Sequence, residues 1–499
     1  MSLTTVRAAA LLLALTLVLV ACGQHPGVHV AGEQAAGDDG IQDPGGPDAG
    51  AAPGGETGQT GAADAPEGDS GGQDLAVEDS RDSGADGTTA PQPDSDERSP
   101  ASAGNGQAQG QQDEGSTEAQ AATREPQGQD RTGVDDDTIR LAVHAPVTGA
   151  APLPSQAFEE AGDLYWRWVI EEQGEQVLGR SNIEVEFADD RFEPATARQV
   201  CRELGDRNFL VVGGGGTDQI QACGQLAAQT NTPYFSPGVT EAGLEGNPWY
   251  FPASMTYRQQ GGLLAQLVSS RFGDATTAAI VLQTPNFDDA VAGWEQGVQA
   301  QGIDYAETLR NPRGQTGWYA DFANRLGDQG VEVVYVNMSP LDYIRFAQVA
   351  DDQGHDFQFV GVGVTMGLNP VLANGCPEVD GGIFFSPFPS LDVVDDLDPE
   401  FRQAASRFGV EASDLALAIW GLQKTQHELF DRYEQTFGTD LTREDFRALV
   451  SETGEVDAGV FPPIDYQPDV DFGGQAVHVL EADCSTQTHR DGGTNQSGF

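Results

Sequence analysis

The sequence has 499 residues, of which 78 are acidic and 25 basic, and its formal net charge is −53 at pH 7. Lys424 is the only lysine in the chain. Binding to nucleic acid or to anionic lipid headgroups requires clustered Lys and Arg, so this charge argues against both partners.

The N-terminus has the pattern of a secretion signal. Arg7 is followed by an apolar stretch, Ala8–Val20, which is too short to span a bilayer comfortably. The stretch ends in Leu-Val-Ala-Cys22, which resembles the bacterial lipobox, where the cysteine becomes the lipidated first residue of the mature protein. We therefore expect a signal peptide over residues 1–21 and a lipidated Cys22 that anchors an extracytoplasmic protein to the cell membrane.

Residues 22–137 change to an acidic composition rich in Gly, Ala, Asp and Gln, with almost no large apolar side chains. Such a segment cannot bury enough apolar surface to offset the entropy of ordering the chain. We predict a disordered tether here and a disordered tail over residues 486–499.

Residues 138–485 alternate between strand and helix patterns. The first half predicts strands at 139–145, 183–188, 209–212 and 234–235, with helices at 156–173, from Pro194, and after the glycine run. The second half predicts helices at 256–271, 288–301, 319–327 and 341–352, with strands at 278–282, 331–336, 357–362 and 382–385. Continuously apolar strands such as residues 331–336 are typical of parallel sheets covered on both faces, so the fold class is α/β.

One crossover carries the candidate site. An apolar strand meets four glycines, Gly213–Gly216, before a helix and the turn Ser236-Pro-Gly-Val-Thr240. Ligands of open parallel sheets lie beyond the carboxyl ends of the strands, where loop amides and helix N-termini meet. The glycine amides, with the hydroxyls of Thr217, Ser236 and Thr240, therefore predict a site for a small polar ligand.

Four cysteines follow Cys22, and an even number in an exported chain favours disulfides. Cys201 and Cys223 lie on helices predicted to cover one face of the same sheet, so we pair them, and we pair Cys376 with Cys484. The alternative is four free buried thiols.

Enzyme motifs are incomplete. The glycine run does not complete G-x-G-x-x-G, because Asp218 or Gln219 stands where the last glycine should be. The chain also has no nucleophile elbow, no phosphate-binding P-loop and no histidine pair at zinc-ligand spacing. Asp189 and Asp190 are more typical of charges at a helix start than of a catalytic dyad. We expect no enzyme, no cofactor and no metal.

The order of elements, together with Phe187-Ala-Asp-Asp190, the glycine run and TPYFSPGVT, resembles the type 1 periplasmic binding proteins. More narrowly, it resembles the branched-chain amino acid and amide binding lipoproteins of ABC importers. The resemblance covers residues 139–480. It implies two Rossmann-like lobes joined by a three-stranded hinge, with lobe 1 at about 138–255 and 389–455 and lobe 2 at about 256–388 and 456–485.

The resemblance also implies ligand contacts. Thr217 falls where the family receives a ligand carboxylate through a hydroxyl and backbone amides, and Gly238 and Thr240 fall where it receives an amino group. Gly216, the last glycine of the run, is a candidate because its backbone N–H group is unobstructed. Phe287 stands where the family often has a tyrosine, so it can stack on a ligand but cannot donate to it. No acidic residue stands in residues 361–365 to meet an α-ammonium group, so a carboxylate or amide ligand is as compatible as an amino acid.

Alternatives stay open for single residues and for the whole protein. Thr217 and Thr240 are also ordinary helix-cap and turn residues, and His144 either faces the cleft or sits in a turn. The protein is expected to be a lipid-anchored solute receptor that docks onto an ABC permease. The alternative is a ligand sensor or surface protein-interaction module with the same fold.

Overall fold

A computed structural model describes residues 124–238, 243–363, 366–466 and 472–496, all within one compact unit. The predicted signal peptide, Cys22 and the tether up to residue 123 lie outside these residues. In the described part of the chain, no helix combines the length and apolar character needed to cross a membrane.

Lobe 1 is built on a five-stranded, all-parallel sheet in the order β2-β1-β3-β4-β5. Its elements in chain order are β1 Thr138–Ala145, α1 Gln156–Glu159, α2 Leu164–Arg167, β2 Asn182–Asp189, α3 Pro194–Gly205, β3 Leu210–Gly213, α4 Thr217–Thr230, β4 Tyr234–Ser236 and β5 Tyr250–Pro252. The single helix predicted over 156–173 is broken into α1, α2 and a π-helical turn, Trp168–Gln173.

Lobe 2 follows in the chain. It contains α5 Tyr257–Phe272, β6 Thr277–Leu282, α6 Asp288–Gln301, β7 Tyr305–Asn311, α7 Tyr319–Asp328, β8 Val333–Asn337, α8 Pro340–Asp352, β9 Gln358–Val362, α9 Asn369–Gly375 and β10 Ile383–Ser386. Helix α5 begins with a complete capping box between Thr256 and Gln259, which satisfies donors at the start of the helix. Strand β7 was not predicted, because its sequence YAETLRN has no sustained apolar run.

The chain then returns to lobe 1 and finally to lobe 2. The remaining elements are α10 Val394–Leu397, α11 Pro399–Phe408, α12 Asp414–Phe437, α13 Arg443–Glu452, β11 Gly454–Val456, β12 Ile464–Tyr466, β13 Ala476–Asp483 and β14 Thr488–Gln496. Helix α12 packs on α1 and α2, whereas β13 joins the second sheet. That sheet has seven strands in the order β14-β13-β10-β9-β8-β6-β7. The predicted α/β class with parallel sheets is confirmed, and β13 and β14 add an antiparallel edge.

The chain passes between the lobes three times: between β5 and α5, between β10 and α10, and before β13. Two of these passes lie side by side. The Tyr466 hydroxyl donates to the Pro252 carbonyl at 3.1 Å, and a Cβ placed on Gly474 would lie 2.1 Å from the carbonyl carbon of Ser254. Only glycine allows the two backbones to approach this closely.

The tether prediction is wrong at its end, because residues 124–137 are ordered against lobe 1. The Asp445 carboxylate accepts from the amides of Gln127 and Gly128 at 3.0 and 2.8 Å, and the amide of Arg124 donates to the Thr436 carbonyl at 2.8 Å. The composition did not predict this order, because the segment is held mainly by backbone hydrogen bonds and ion pairs and only to a small extent by apolar side chains.

The predicted disordered tail is also wrong for the residues that the structure describes. Strand β14 pairs antiparallel with β13 over most of its length. Its sequence THRDGGTNQ has no apolar alternation, yet His489 is buried. Backbone pairing to a buried neighbouring strand orders this segment without a strand-like sequence pattern.

Candidate functional site

The candidate site is a cavity of about 70 Å³ between the two lobes. It lies at the carboxyl ends of strands from both sheets, as expected for open parallel sheets. Lobe 1 lines it with the loops after β1, β2, β3 and β4, and lobe 2 with residues at or after the ends of β6, β7, β8 and β9. A ligand held here would touch both lobes.

The glycine turn before α4 forms the floor of the lobe 1 side. A Cβ on Gly214 or Gly215 would lie 2.5 Å from Phe158 or Leu153, respectively, so side chains are excluded at both positions. Gly216 has φ +81°, a left-handed conformation that glycine adopts without strain. The N-cap residue of α4 is Gly216, which has no side chain to cap the helix, and the first turn of α4 lines the cavity, so its N–H groups and the positive end of the helix dipole lie beside the cavity.

Thr217 is the first residue of α4 and contacts lobe 2. Its hydroxyl is hydrogen-bonded to the phenol of Tyr257, the first residue of α5. Burial raises the pKa of Tyr257, while the hydrogen bond from Thr217 opposes this rise. Tyr257 is therefore a neutral phenol at physiological pH, and the pair joins the lobes beside the cavity.

Asp218 makes a second link between the lobes. Its carboxylate accepts from the Thr284 hydroxyl at 2.8 Å and from the Asn286 amide. The same carboxylate forms an ion pair with Arg313, whose guanidinium also lies 4.9 Å from the centre of the Phe192 ring. Of the described residues that line the cavity, Asp218 and Arg313 are the charged ones, and they neutralise each other.

The structure brings together four of the residues predicted from the sequence: Gly216, Thr217, Gly238 and Phe287 all line the cavity. Ser236 does not line it. Its hydroxyl is buried and bonds to the Gly238 carbonyl and the Tyr250 hydroxyl. Thr240 lies outside the described residues, so its role stays a prediction.

Sequence reasoning missed several polar residues of the cavity, among them Gln219, Asn337 and Arg313. Gln219 is fully buried and Asn337 is 4% exposed. Both amide atoms of Gln219, Nδ2 of Asn337 and one terminal nitrogen of Arg313 have no hydrogen-bond partner in the described part of the chain. Asn337 ends an apolar strand, so the rule that ligands bind at strand ends could have identified it. Arg313 follows the strand that was not predicted.

His144 adopts a buried position below the glycine turn and does not line the cavity. Its Nδ1 lies 2.8 Å from an Asp190 carboxylate oxygen, and its Nε2 lies 2.8 Å from the Tyr234 hydroxyl. All three side chains are buried. This is a satisfied core network that holds β1, β2 and β4 together, and it explains Asp190 without a catalytic role.

Both predicted disulfide pairs are confirmed. Cys201–Cys223 joins α3 to α4, and Cys376–Cys484 joins the end of α9 to the end of β13. The first bond lies within lobe 1 and the second within lobe 2. Neither bond connects the two lobes.

A family model described as "Periplasmic binding protein" matches residues 138–488. No curated protein sequence matches the chain. Among solved structures, a fatty acid ABC transporter substrate-binding protein from Thermomonospora curvata is 17% identical, with a TM-score of 0.64, over 74% of this chain and 95% of that one.

Two further structures are similar at lower TM-scores. A solute binding protein of an ABC transporter from Rhodopseudomonas palustris BisB5, in complex with 3,4-dihydroxy benzoic acid, is 19% identical, with a TM-score of 0.58, over 72% of this chain and 98% of that one. A branched chain amino acid ABC transporter protein from Thermus thermophilus with bound valine is 14% identical, with a TM-score of 0.61, over 73% of this chain and 98% of that one. At these identities the likeness establishes the fold alone.

Proposed function

Because this chain belongs to the periplasmic binding protein family, we propose that it is an extracytoplasmic solute-binding protein of an ABC importer, which closes its two lobes on a small polar ligand. One observation carries the proposal: the cavity between the lobes is lined by both of them and contains buried polar groups that have no partner among the described residues. Buried polar groups are almost always hydrogen-bonded, so such groups indicate a missing ligand.

Closure follows from the way the lobes are connected. The proposed lobes, residues 138–255 with 389–455 and residues 256–388 with 456–485, meet at three chain passes. A hinge of this kind lets one lobe rotate against the other while each keeps its own core. The bonds from Asp218 and Thr217 to lobe 2 form when the cleft is closed, and they would break on opening.

The cavity favours binding over catalysis. The charged residues among those described in its lining, Asp218 and Arg313, are paired with each other, so neither is a free acid or base beside a substrate. We propose no cofactor and no reaction. The similar structures include a fatty acid transporter protein, a complex with 3,4-dihydroxy benzoic acid and a protein with bound valine, and we propose an amino acid, an amide or a carboxylate as the ligand of this chain.

We further propose that Cys22 carries a lipid anchor and that an ABC permease is the protein partner. Both proposals rest on the lipobox-like sequence and on the family, since Cys22 lies outside the described residues. Changing Cys22→Ser should release the protein from the membrane fraction, and mass spectrometry of the wild-type N-terminus should show added acyl mass. An unmodified N-terminus would contradict the anchor.

The function is tested by a thermal-shift screen of the full chain, refolded from denaturant to remove bound ligand. The panel contains amino acids, amides, urea and short or aromatic carboxylates. A ligand that binds only the folded state stabilises it by about 2.7 kcal/mol at a hundredfold excess over Kd. A saturable shift with one class supports a solute receptor. No shift with any class would favour the protein-interaction module.

A further inference from the structure

We propose that the ligand is an apolar acid, recognised through a single carboxylate and carrying no ammonium group. This inference rests on the proposed solute-binding function and deepens it by naming the substrate class. It follows from which polar atoms of the cavity are free and which are already bonded.

The free groups are mainly hydrogen-bond donors. Arg313 has a buried terminal nitrogen without a partner, Asn337 has a free Nδ2 and Gln219 a free Nε2, considering the residues that the structure describes. Two of these three side chains are more than nine-tenths buried. The uncapped N-terminus of α4 adds backbone donors and a partial positive charge on the same side of the cavity. A carboxylate, which only accepts, satisfies several of these donors at once.

In contrast, two acceptors that could receive an ammonium group, the Asp218 carboxylate and the Gly238 carbonyl, are already hydrogen-bonded. The Asp218 carboxylate already receives Thr284, Asn286 and Arg313. The Gly238 carbonyl, where the sequence predicted an amino group, accepts from both Ser236 and Tyr250. Among the described side chains that line the cavity, Gln219 Oε1 is the acceptor left without a partner.

A single amide oxygen cannot satisfy an ammonium group. An ammonium group has three N–H donors and a full positive charge, and burying it without an opposing charge is strongly unfavourable. Among the described residues that line the cavity, the acidic side chain is Asp218, and Arg313 already neutralises it. The cavity therefore selects against α-amino acids.

The rest of the cavity suits a small apolar body. Most of the wall is hydrocarbon, supplied by Leu153, Phe192 and Ile220 from lobe 1 and by Phe287, Met338 and Val362 from lobe 2. The cavity volume of about 70 Å³ has room for roughly five water molecules at ~10–15 Å³ each. A short branched or single-ring acid matches this size, whereas a long acyl chain would not fit.

Calorimetric titration of the refolded full chain tests the class with matched probes. The probes are 3-methylbutanoate, its amide, and valine, which is the same acid with an added 2-ammonium group; benzoate, benzamide and phenylglycine repeat the comparison with a ring. We expect at least one acid to bind, its amide to bind at least tenfold more weakly, and its amino acid analogue not to bind. Tighter binding of valine or phenylglycine than of the matching acid would overturn the inference but keep the proposed function.

A variant pair tests the role of Gln219. Gln219→Leu removes two unpartnered polar atoms, so it should leave the melting temperature of the ligand-free chain equal or higher while weakening acid binding at least tenfold. The control is Gln426→Leu in α12. Gln426 is also fully buried with both amide atoms unpartnered among the described residues, but it does not line the cavity.

The two variants separate the possible results. Gln426→Leu should match the stability effect of Gln219→Leu and leave affinity unchanged. Equal affinity in wild type and Gln219→Leu would overturn the assignment of Gln219 as a ligand contact. Failure of both acids to bind, while another class from the wider screen binds, would overturn the acid proposal; failure of every class would overturn the solute-binding function itself.

Discussion

Arg313 and Asp218 form an ion pair across the cleft, with the guanidinium after β7 of lobe 2 and the carboxylate at the second residue of α4 in lobe 1. Thr284 and Asn286 donate to the same carboxylate from lobe 2. The Asp218 carboxylate thus makes three contacts with lobe 2, and these contacts exist only when the cleft is closed.

Changing Asp218→Asn should shift the ligand-free protein towards an open form. The variant loses the ion pair and part of the hydrogen bonding, which we expect to cost the closed state about 1–3 kcal/mol. Small-angle scattering of the ligand-free chain should show a larger radius of gyration, and affinity for any ligand that requires closure should fall. Asp288→Asn is the control, because Asp288 pairs with Arg310 inside lobe 2. An unchanged radius of gyration in Asp218→Asn would contradict the proposed link.

Thr217→Val and Tyr257→Phe should weaken ligand binding by similar amounts, about 1 kcal/mol each, because they remove the two partners of one hydrogen bond. The double variant should bind no more weakly than either single variant, since the shared bond can be lost only once. Thr217→Ser keeps the hydroxyl and serves as the control. Additive losses in a titration of all variants would show that Thr217 and Tyr257 act independently.

Removing the disulfides should lower stability to different extents. The pairs Cys201–Cys223 and Cys376–Cys484 are separated by 22 and 108 residues, respectively. Loop entropy predicts losses of about 3 and about 5 kcal/mol in the free energy of unfolding when each pair is changed to alanine. Denaturant unfolding of the two double variants measures this directly. Ligand affinity should stay unchanged in both, and a loss of affinity would mean that the bonds also shape the cavity.

Asp414 should make stability depend on pH. It lies in α12 of lobe 1 and accepts from the Asn369 amide of α9 in lobe 2 at 2.8 Å, and burial raises its pKa to about 6. Because this folded-state pKa lies above the ordinary value of 3.8, the group's stabilisation is complete below pH 3.8 and is lost as the pH rises through 6. The full loss amounts to about 3 kcal/mol.

Asp414→Asn keeps a side-chain oxygen that can accept the hydrogen bond from the Asn369 amide, but the new side chain does not titrate. Its stability advantage over wild type should therefore grow by about 2 kcal/mol between pH 4.5 and pH 7.5, measured by urea unfolding at both values. The exposed Asp351→Asn variant should show no such growth. A constant difference between Asp414→Asn and wild type would exclude a raised pKa at this site.

The sequence predicted the parts of the site that depend on local chain geometry. Four glycines between an apolar strand and a helix locate Gly216 and Thr217 at a strand end, whatever surrounds them. Phe287 and Gly238 followed from the family resemblance. In these cases the sequence motif and the residues that line the cavity lie within a few positions of each other in the chain.

The rest of the site depends on pairing between distant parts of the chain. Arg313 is 95 residues from Asp218, and only the closed arrangement of the lobes brings them together. Gln219 looked like an ordinary residue of the first helical turn, because its lack of a partner becomes visible only in three dimensions. The order of β14 likewise depends on a buried neighbour, β13, and not on its own side chains.

The segment before β1 has a mechanical consequence. Its contacts with Thr436, Arg443 and Asp445 are all made with lobe 1. Arg443 in turn donates to the Phe209 carbonyl just before β3, at the amino ends of the strands and therefore on the side of the sheet away from the cleft. Any pull transmitted through the preceding residues is therefore borne by the back of one lobe. None of these contacts is made with lobe 2, so lobe 2 could open and close while the N-terminal segment holds lobe 1 in place.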